Sequence, residues 1–314
     1  MDLVSIPANP VPDDVVVGSI KTPDGVSLRY ARWAPPPGRK GTVCVFQGRG
    51  EFIEKYYETV RDLRSRGFAV AALDWRGQGL SDRALDDRRK GHVRDFYQFG
   101  VDLDAFMEQV VLPDCPPPIY ALAHSMGGAI IVRACHDGRR WFDRVVLSAP
   151  MIGLPKSGLT RIAGPALSLM RLTGRGSAFC PGVQTAPPGR EDFVGNVLTS
   201  DPVRFARTVA VTEAEPRLAL GGPTVSWVSA ALRVTRQFEE PSYAGTIRQP
   251  ILMVAAGHDQ VVSTSAIESF AANLLAGSHL MLPGARHEIL QEQDRYRKQF
   301  WAAFDAFVPG TPLY

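Results

Sequence analysis

The sequence predicts an α/β fold in which helices cover a mostly parallel sheet. Short apolar runs alternate with helical patterns along most of the 314 residues, and this order is typical of parallel strands joined by helices. Residues 15–33 contain two extended runs around the turn sequence Thr22-Pro23-Asp24-Gly25, which indicates a hairpin. The apolar run 119–124 leads directly into Ser125 and a helix-forming stretch. A strand and a helix are therefore predicted to meet at a serine.

The other elements follow from local patterns. Further apolar runs have the length and composition of buried strands, and they cover residues 42–46, 68–73, 145–148, 251–256 and 279–282. Helical patterns predict helices over residues 52–66, 95–110 and 291–307. Residues 113–118 are rich in proline and are predicted to form a rigid connector.

The segment around Ser125 predicts a catalytic nucleophile. A serine between a strand and a helix, flanked by small residues, is the nucleophile elbow of an α/β-hydrolase. Gly127 supplies one small residue, and Ala123 stands where the usual motif has glycine. The backbone N–H of Met126 is predicted to face a developing oxyanion. Arg49, after Gly48 in the loop that follows strand 42–46, is predicted to supply the second N–H.

A nucleophilic serine needs a base and an orienting acid, which in this fold follow it in the order acid, then histidine. Asp259 follows strand 251–256, and His287 follows strand 279–282. The carboxyl ends of parallel strands are where such folds place their sites. Glu288 and Asp294 are nearby alternative acids, but neither ends the preceding strand. His124 adjoins Ser125, so its ring is expected to face away from the nucleophile.

The region between residues 150 and 241 has frequent glycine and proline and no strand signal. We interpret residues 151–241 as a mostly helical cap, inserted between a hydrolase core formed by residues 1–150 and 242–314. Leu159, Leu167 and Met170 belong to an apolar stretch and are predicted to bind the apolar part of a substrate. The cap is apolar and mildly basic, which fits an ordinary solvated lid and also a peripheral contact with lipid.

The composition and charge of the chain argue against several classes of function. No apolar run approaches the roughly 20 residues that cross a bilayer, and the N-terminus does not read as a signal peptide. The four cysteines show no metal-binding spacing, so we expect no metal and no other cofactor. A net charge of +3 without a basic cluster gives no reason to expect nucleic acid. We expect a cytoplasmic protein, with membrane-peripheral placement as the alternative.

At the level of whole segments, the chain resembles the lysophospholipase L2 and monoacylglycerol lipase branch of the α/β-hydrolases. The segments that carry the resemblance are residues 47–56, 74–79, 91–93, 122–129, 196–199, 221–228 and 287–290. The resemblance implies an eight-stranded, mostly parallel sheet with helices on both faces and a helical cap inserted after the sixth strand. It also implies a serine hydrolase that cleaves one fatty acyl ester.

The expected substrate is a mono-acyl lipid, with a lysophospholipid as the first choice. A monoacylglycerol lipase or carboxylesterase is the alternative within this class. A peptidase of the proline-iminopeptidase type is the alternative outside it, because that type uses the same fold and triad. Such a peptidase needs cap carboxylates to hold the substrate amine, and Glu213 and Glu215 are the candidate pair. A non-catalytic relative is disfavoured because Ser125, Asp259 and His287 occur in the required order.

Overall fold

Eight strands form one sheet in this computed structural model, which describes residues 2–35, 40–155 and 158–308. The order across the sheet is β1-β2-β4-β3-β5-β6-β7-β8. The first two strands are antiparallel to their neighbours, and every pairing from β4 to β8 is parallel. The mostly parallel α/β-hydrolase sheet is thereby confirmed. The strands are β1 (Val15–Lys21), β2 (Ser27–Trp33), β3 (Thr42–Phe46), β4 (Ala69–Leu73), β5 (Ile119–His124), β6 (Arg144–Ser148), β7 (Ile251–Ala256) and β8 (Gly277–Leu282).

The central strands are buried along their whole length. Every residue of β3, β4, β5 and β7 is buried, because helices cover both faces of a parallel sheet. This burial explains why these strands appear in the sequence as continuous apolar runs. The predicted hairpin is also confirmed, since β1 pairs with β2 around the turn that contains Asp24. The hydroxyl of Thr22 donates to Asp24 at 2.6 Å and fixes that turn.

Helices connect the strands, and three of their boundaries differ from the prediction. The predicted helix 52–66 is a 3-10 turn followed by a helix, and the terminal helix begins three residues later than predicted. The helix predicted for residues 95–110 continues through a π-helical turn, Met107–Val111, to Asp114. Pro113 lies in the last turn of this continuous helix, which ends directly after it at Asp114. The core helices are α1 (Tyr57–Ser65), α2 (Tyr97–Phe106), α3 (Leu112–Asp114), α4 (Met126–His136), α9 (Thr264–Ala272) and α10 (Asp294–Phe307).

The segment between β6 and β7 consists of helices and loops where the structure describes it. None of its described residues belongs to the sheet, as the lack of strand signals predicts. No helix within the described ranges is long and apolar enough to span a bilayer. The division of the chain into core and cap remains our interpretation of this arrangement. The helices of the segment are α5 (Gly158–Leu172), α6 (Pro202–Ala214), α7 (Val225–Phe238) and α8 (Pro241–Gly245).

Candidate active site

Ser125 lies on a strained turn between β5 and α4. Its backbone has φ of 49° and ψ of −115°, a region that residues with a side chain rarely occupy. Its N–H donates to the carbonyl of Ser148 at 3.1 Å. A Cβ at position 127 would lie 2.5 Å from the carbonyl oxygen of Phe46, so only glycine fits where the helix meets β3. The tight turn expected from the sequence is present.

Asp259, His287 and Ser125 form one hydrogen-bonded chain. Asp259 Oδ2 is 2.8 Å from His287 Nδ1, and His287 Nε2 is 2.9 Å from Ser125 Oγ. Asp259 comes from the loop after β7, and His287 comes from the loop after β8. Ser125 comes from the turn between β5 and α4. A carboxylate only accepts hydrogen bonds, so the proton of the ring lies on Nδ1 and Nε2 faces the serine. This arrangement can transfer the Ser125 proton to the imidazole.

The carboxyl group of Asp259 stays ionised in this setting. Burial raises the pKa of Asp259, but the hydrogen bond and charge of His287 outweigh burial and lower it overall. Asp259 Oδ1 also accepts the backbone N–H groups of Val261 at 2.8 Å and Val262 at 3.0 Å. These amides stabilise the carboxylate and hold its second oxygen toward the imidazole.

The two alternative candidates for the orienting acid bind other residues and not His287. Glu288 accepts from Lys55 Nζ at 2.6 Å, and Asp294 accepts from Arg204 at 2.7 Å. His124 differs from our expectation, because its ring borders the same cavity as Ser125 and lies 4.8 Å from the ring of His287. Its Nδ1 is 3.0 Å from the carbonyl oxygen of Ser148. Burial lowers the pKa of His124, so at neutral pH it packs against His287 as an uncharged ring.

The loop after β3 lies directly against the nucleophile. A Cβ at position 48 would lie 3.1 Å from Ser125 Cβ, so Gly48 permits this approach. The N–H of Gly48 donates to Glu51, and its carbonyl accepts from Gln78 Nε2 at 2.9 Å. The following amide, that of Arg49, is the predicted oxyanion donor. Met126 opens α4, and amides of a first helical turn have no acceptor inside the helix.

A buried ionic cluster next to the triad was not predicted from the sequence. Lys55 Nζ lies 2.9 Å from Glu51 and 2.6 Å from Glu288, and Tyr56 Oη donates to Glu51 at 2.7 Å. Burial raises the pKa of Glu51, yet the positive charge of Lys55 dominates and lowers it overall. The cluster therefore connects the oxyanion loop to the residue beside His287. Its one local signal is the four-residue spacing of Glu51 and Lys55, which suits a side-chain pair on a helical turn.

Replacing Lys55 with methionine is expected to destabilise the protein. The change leaves the buried carboxylates of Glu51 and Glu288 without a cation, and breaking a buried ion pair in this way costs about 3–5 kcal/mol. Urea unfolding at pH 7 measures the effect. Adding Glu51→Gln to Lys55→Met removes one uncompensated charge and is expected to recover part of the stability. An unchanged unfolding midpoint in Lys55→Met would mean that the cluster does not stabilise the fold.

An apolar cavity of about 440 Å³ opens at Ser125, within the size range of small-molecule sites. Helix α6 contributes a stripe at helical spacing, Phe205, Val209 and Thr212. This stripe is the sequence signal that points to α6 as a wall of the cavity. The other apolar or weakly polar lining residues include Leu154, Val183, Leu198, Leu220, Trp227 and Val262.

The predicted substrate-binding residues of α5 are not part of this wall. Leu167 is buried and Met170 is partly buried, but neither lines the cavity. The side chain of Leu159 lies outside the described residues. Helix α5 packs against α7, while its Leu169 and Leu172 are exposed. Leu167 and Met170 do not line this cavity, and their role in substrate binding stays a prediction.

The loop that carries His287 is tied to the segment between β6 and β7. The N–H of Glu288 donates to the carbonyl of Leu198 at 2.8 Å. The hydroxyl of Thr199 donates to the carbonyl of Gln291 at 2.7 Å. These bonds bring together residues 196–199 and 287–290, two of the segments that carry the resemblance. In the part of the chain that the structure describes, no group of three or more potential metal ligands occurs.

Comparison with known proteins agrees with this geometry. The sequence profile described as serine aminopeptidase, S33, matches residues 37–294. This chain belongs to the serine aminopeptidase S33 family of α/β-hydrolases. Lysophospholipase L2 of Escherichia coli K12, a relative of this S33 hydrolase, is 34% identical over 285 residues, which are 87% of this chain and 82% of that protein.

More distant relatives and solved structures are similar to this chain over most of its length. The monoacylglycerol lipase of Mycolicibacterium smegmatis is 24% identical over 86% of this chain and 89% of its own length. A soluble variant of monoglyceride lipase from Saccharomyces cerevisiae superposes with a TM-score of 0.73 at 20% identity and covers 93% of each chain. The resemblance to the lysophospholipase L2 and monoacylglycerol lipase branch is confirmed.

Proposed function

We propose that this S33 hydrolase cleaves the fatty acyl ester of a mono-acyl lipid, with lysophospholipid as its substrate. The observation that carries the proposal is the hydrogen-bonded chain from Asp259 through His287 to Ser125 at the floor of an apolar cavity. The similarity to lysophospholipase L2 of E. coli supports this substrate class.

The proposed reaction needs no cofactor. His287 Nε2 takes the proton of Ser125 Oγ as this oxygen attacks the ester carbonyl carbon. The amides of Arg49 and Met126 donate to the oxyanion, and Asp259 stabilises the imidazolium. The carbon–oxygen bond to the glycerol breaks, and His287 returns the proton to the leaving alcohol. Water, deprotonated by His287, then attacks the acyl carbon. The bond from this carbon to Ser125 Oγ breaks, His287 returns the proton to Oγ, and the fatty acid leaves.

The charges in the cavity argue against the peptidase alternative. A free substrate amine needs an available carboxylate, yet the two acidic residues among the described cavity lining, Glu51 and Glu288, both bind Lys55. Glu215 is paired with Arg217 at 2.6 Å and does not line the cavity. A monoacylglycerol lipase or carboxylesterase is the second candidate, since relatives with such names share the fold.

A substrate panel tests the assignment. We expect the purified protein to release fatty acid from lysophosphatidylcholine and lysophosphatidylethanolamine with higher kcat/KM than from a monoacylglycerol of equal chain length. A clear preference for the monoacylglycerol moves the assignment to the lipase alternative. Efficient cleavage of a proline anilide, without any dependence on an acyl chain, favours the peptidase.

The substrate class also implies contact with lipid surfaces. Leu169, Leu172 and Val194 are exposed by 62%, 86% and 93% in the segment between β6 and β7. Contiguous exposed apolar surface marks membrane contacts. We propose that these side chains form such a surface and that the protein is cytoplasmic and binds membranes reversibly. Co-sedimentation with phosphatidylglycerol vesicles tests this placement, and absence of binding at any lipid concentration contradicts it.

The rate is expected to rise with acyl-chain length. Each buried CH2 contributes about 0.8 kcal/mol, so kcat/KM can rise by up to about fourfold per methylene until the cavity is filled. Val209→Asn places an amide on the cavity wall and is expected to flatten this rise. Val203→Asn is the matched control, because Val203 lies on the same helix, is 72% exposed and does not line the cavity. Equal chain-length profiles in both variants would contradict the proposed acyl site.

A further inference from the structure

The guanidinium of Arg49 lies in a slot at the wall of the cavity. Its Nη2 donates to the carbonyl oxygen of Gly221 at 2.5 Å, and its Cζ lies 5.3 Å from the ring centroid of Trp227. A Cβ at position 91 would lie 2.6 Å from Nη2, so Gly91 leaves the space that the guanidinium occupies. The side chain is thereby held in one orientation beside the substrate site.

This guanidinium has no carboxylate partner among the residues that the structure describes. Its Nε–H is buried and donates to no acceptor among the described residues, whereas the other long cation of the cavity, Lys55, binds two carboxylates. Burial lowers the pKa of Arg49 to about 10, so the group is still charged at neutral pH. Arg49 as a whole is partly buried. A desolvated cation without a counter-ion is costly, and a ligand that brings an anion lowers this cost.

The position of Arg49 suits the head group of the proposed substrate. Gly48 touches Ser125, and Arg49 is the next residue, so its side chain extends from the ester-binding end of the cavity toward Gly221 and Trp227. In a lysophospholipid, five bonds separate the ester oxygen from the phosphorus atom. An anion at the guanidinium therefore belongs to the glycerol side of the scissile ester, not to the acyl chain.

We propose that the Arg49 guanidinium binds the phosphate of the lysophospholipid head group and thereby selects lysophospholipid over monoacylglycerol. This inference rests on the proposed function of the same site. A planar guanidinium fork matches the oxygens of a phosphate, which a lysine ammonium does not. The Arg49 side chain also connects the oxyanion loop to residues 221–227. The alternative is that it only holds these two segments together, which we call the mechanical role.

The experiment compares Arg49→Gln with Arg233→Gln. Arg233 lies in α7, is exposed, pairs with Asp95 at 3.1 Å and does not line the cavity. Both variants lose one positive charge. For each, kcat and KM are measured with lysophosphatidylcholine, with monoacylglycerol of equal chain length and with p-nitrophenyl butyrate, which reports any damage to the oxyanion hole.

In Arg49→Gln we expect the ratio of kcat/KM for lysophosphatidylcholine to that for monoacylglycerol to fall at least about tenfold, mainly through KM, as expected for loss of a charged hydrogen bond. Arg49→Lys is expected to recover part of the ratio, and Arg233→Gln to keep it. Arg49→Lys also serves as the test if Arg49→Gln does not fold, because it too is expected to raise KM for the phospholipid selectively.

Three outcomes overturn the inference or its basis. Equal losses with both lipids would assign Arg49 the mechanical role. An unchanged lipid ratio together with competitive inhibition by inorganic phosphate, which Arg49→Gln abolishes, would mean that the slot binds free phosphate. If the wild-type protein hydrolyses p-nitrophenyl butyrate but neither lipid, the proposed function itself is wrong. Selective loss with the phospholipid supports the inference.

Discussion

Ser125→Ala is expected to lower kcat for lysophospholipid hydrolysis by about 10⁴-fold or more, because removal of a catalytic nucleophile typically has an effect of this size. The fold is expected to survive, since the strained backbone at position 125 accommodates alanine as well as it accommodates serine. Fatty acid release by purified protein measures the loss, and circular dichroism verifies folding.

Ser148→Ala is the matched control for this experiment. Ser148 ends the neighbouring strand β6, and its backbone carbonyl, which the substitution keeps, accepts from Ser125. Its own hydroxyl is buried without a hydrogen-bond partner among the described residues, so we expect activity close to wild type. Comparable activity in Ser125→Ala and Ser148→Ala would show that another residue attacks the ester.

His287→Ala is expected to be about as damaging as loss of the serine, and Asp259→Asn to cost about 10³–10⁴-fold in kcat. An asparagine offers its amide N–H where Nδ1–H needs an acceptor, so it favours the wrong tautomer of the ring. Because the three side chains act as a unit, the double variant His287→Ala/Asp259→Asn is expected to be no worse than His287→Ala alone. Steady-state kinetics of the three variants test this non-additivity.

Asp294→Asn is the control for the acid. Asp294 follows His287 in the sequence as Glu288 does, but it is exposed and pairs with Arg204. We expect this variant to keep nearly full activity. If Asp294→Asn is crippling while Asp259→Asn is silent, the assignment of the orienting acid is wrong.

The features that were predictable from the sequence are those with a local signal. The nucleophile elbow requires a strand, a serine and a glycine within a few residues, and Gly127 shows the cause, since any side chain there meets the carbonyl of Phe46. The positions of Asp259 and His287 followed from one rule, that sites lie at the carboxyl ends of parallel strands. The central strands were predictable because burial on both faces leaves a continuous apolar run.

The missed features depend on contacts between distant residues. Lys55 and Glu288 are 233 positions apart, and nothing local marks them as partners. The cavity wall was assigned to α5 because that stretch is strongly apolar, yet α5 packs on α7, and its Leu167 and Met170 do not line the cavity. Helix α6 lines the cavity although its apolar pattern is weaker than that of α5. Apolar composition therefore identified a strongly apolar segment, but it could not identify which of its side chains face the cavity, another helix or solvent.

The side chain of Arg49 illustrates the same limit at the active site. Sequence reasoning selected position 49 for its backbone amide, because the glycine before it lets the loop turn. The role proposed for the guanidinium depends on Gly91, Gly221 and Trp227, which the fold brings together from two distant segments. The sequence of the loop gives no sign of the direction of a long side chain such as Arg49 until those neighbours are known.

The central claim is that Ser125 attacks the ester, and covalent labelling tests it most directly. The wild-type protein is treated with a long-chain alkyl fluorophosphonate, digested and analysed by peptide mass spectrometry, with lysophospholipid hydrolysis followed in parallel. We expect one phosphonylated peptide, modified at Ser125, and loss of activity in proportion to the labelled fraction. Full labelling of Ser125 with activity retained, or inactivation with the label on a different residue, would contradict the account.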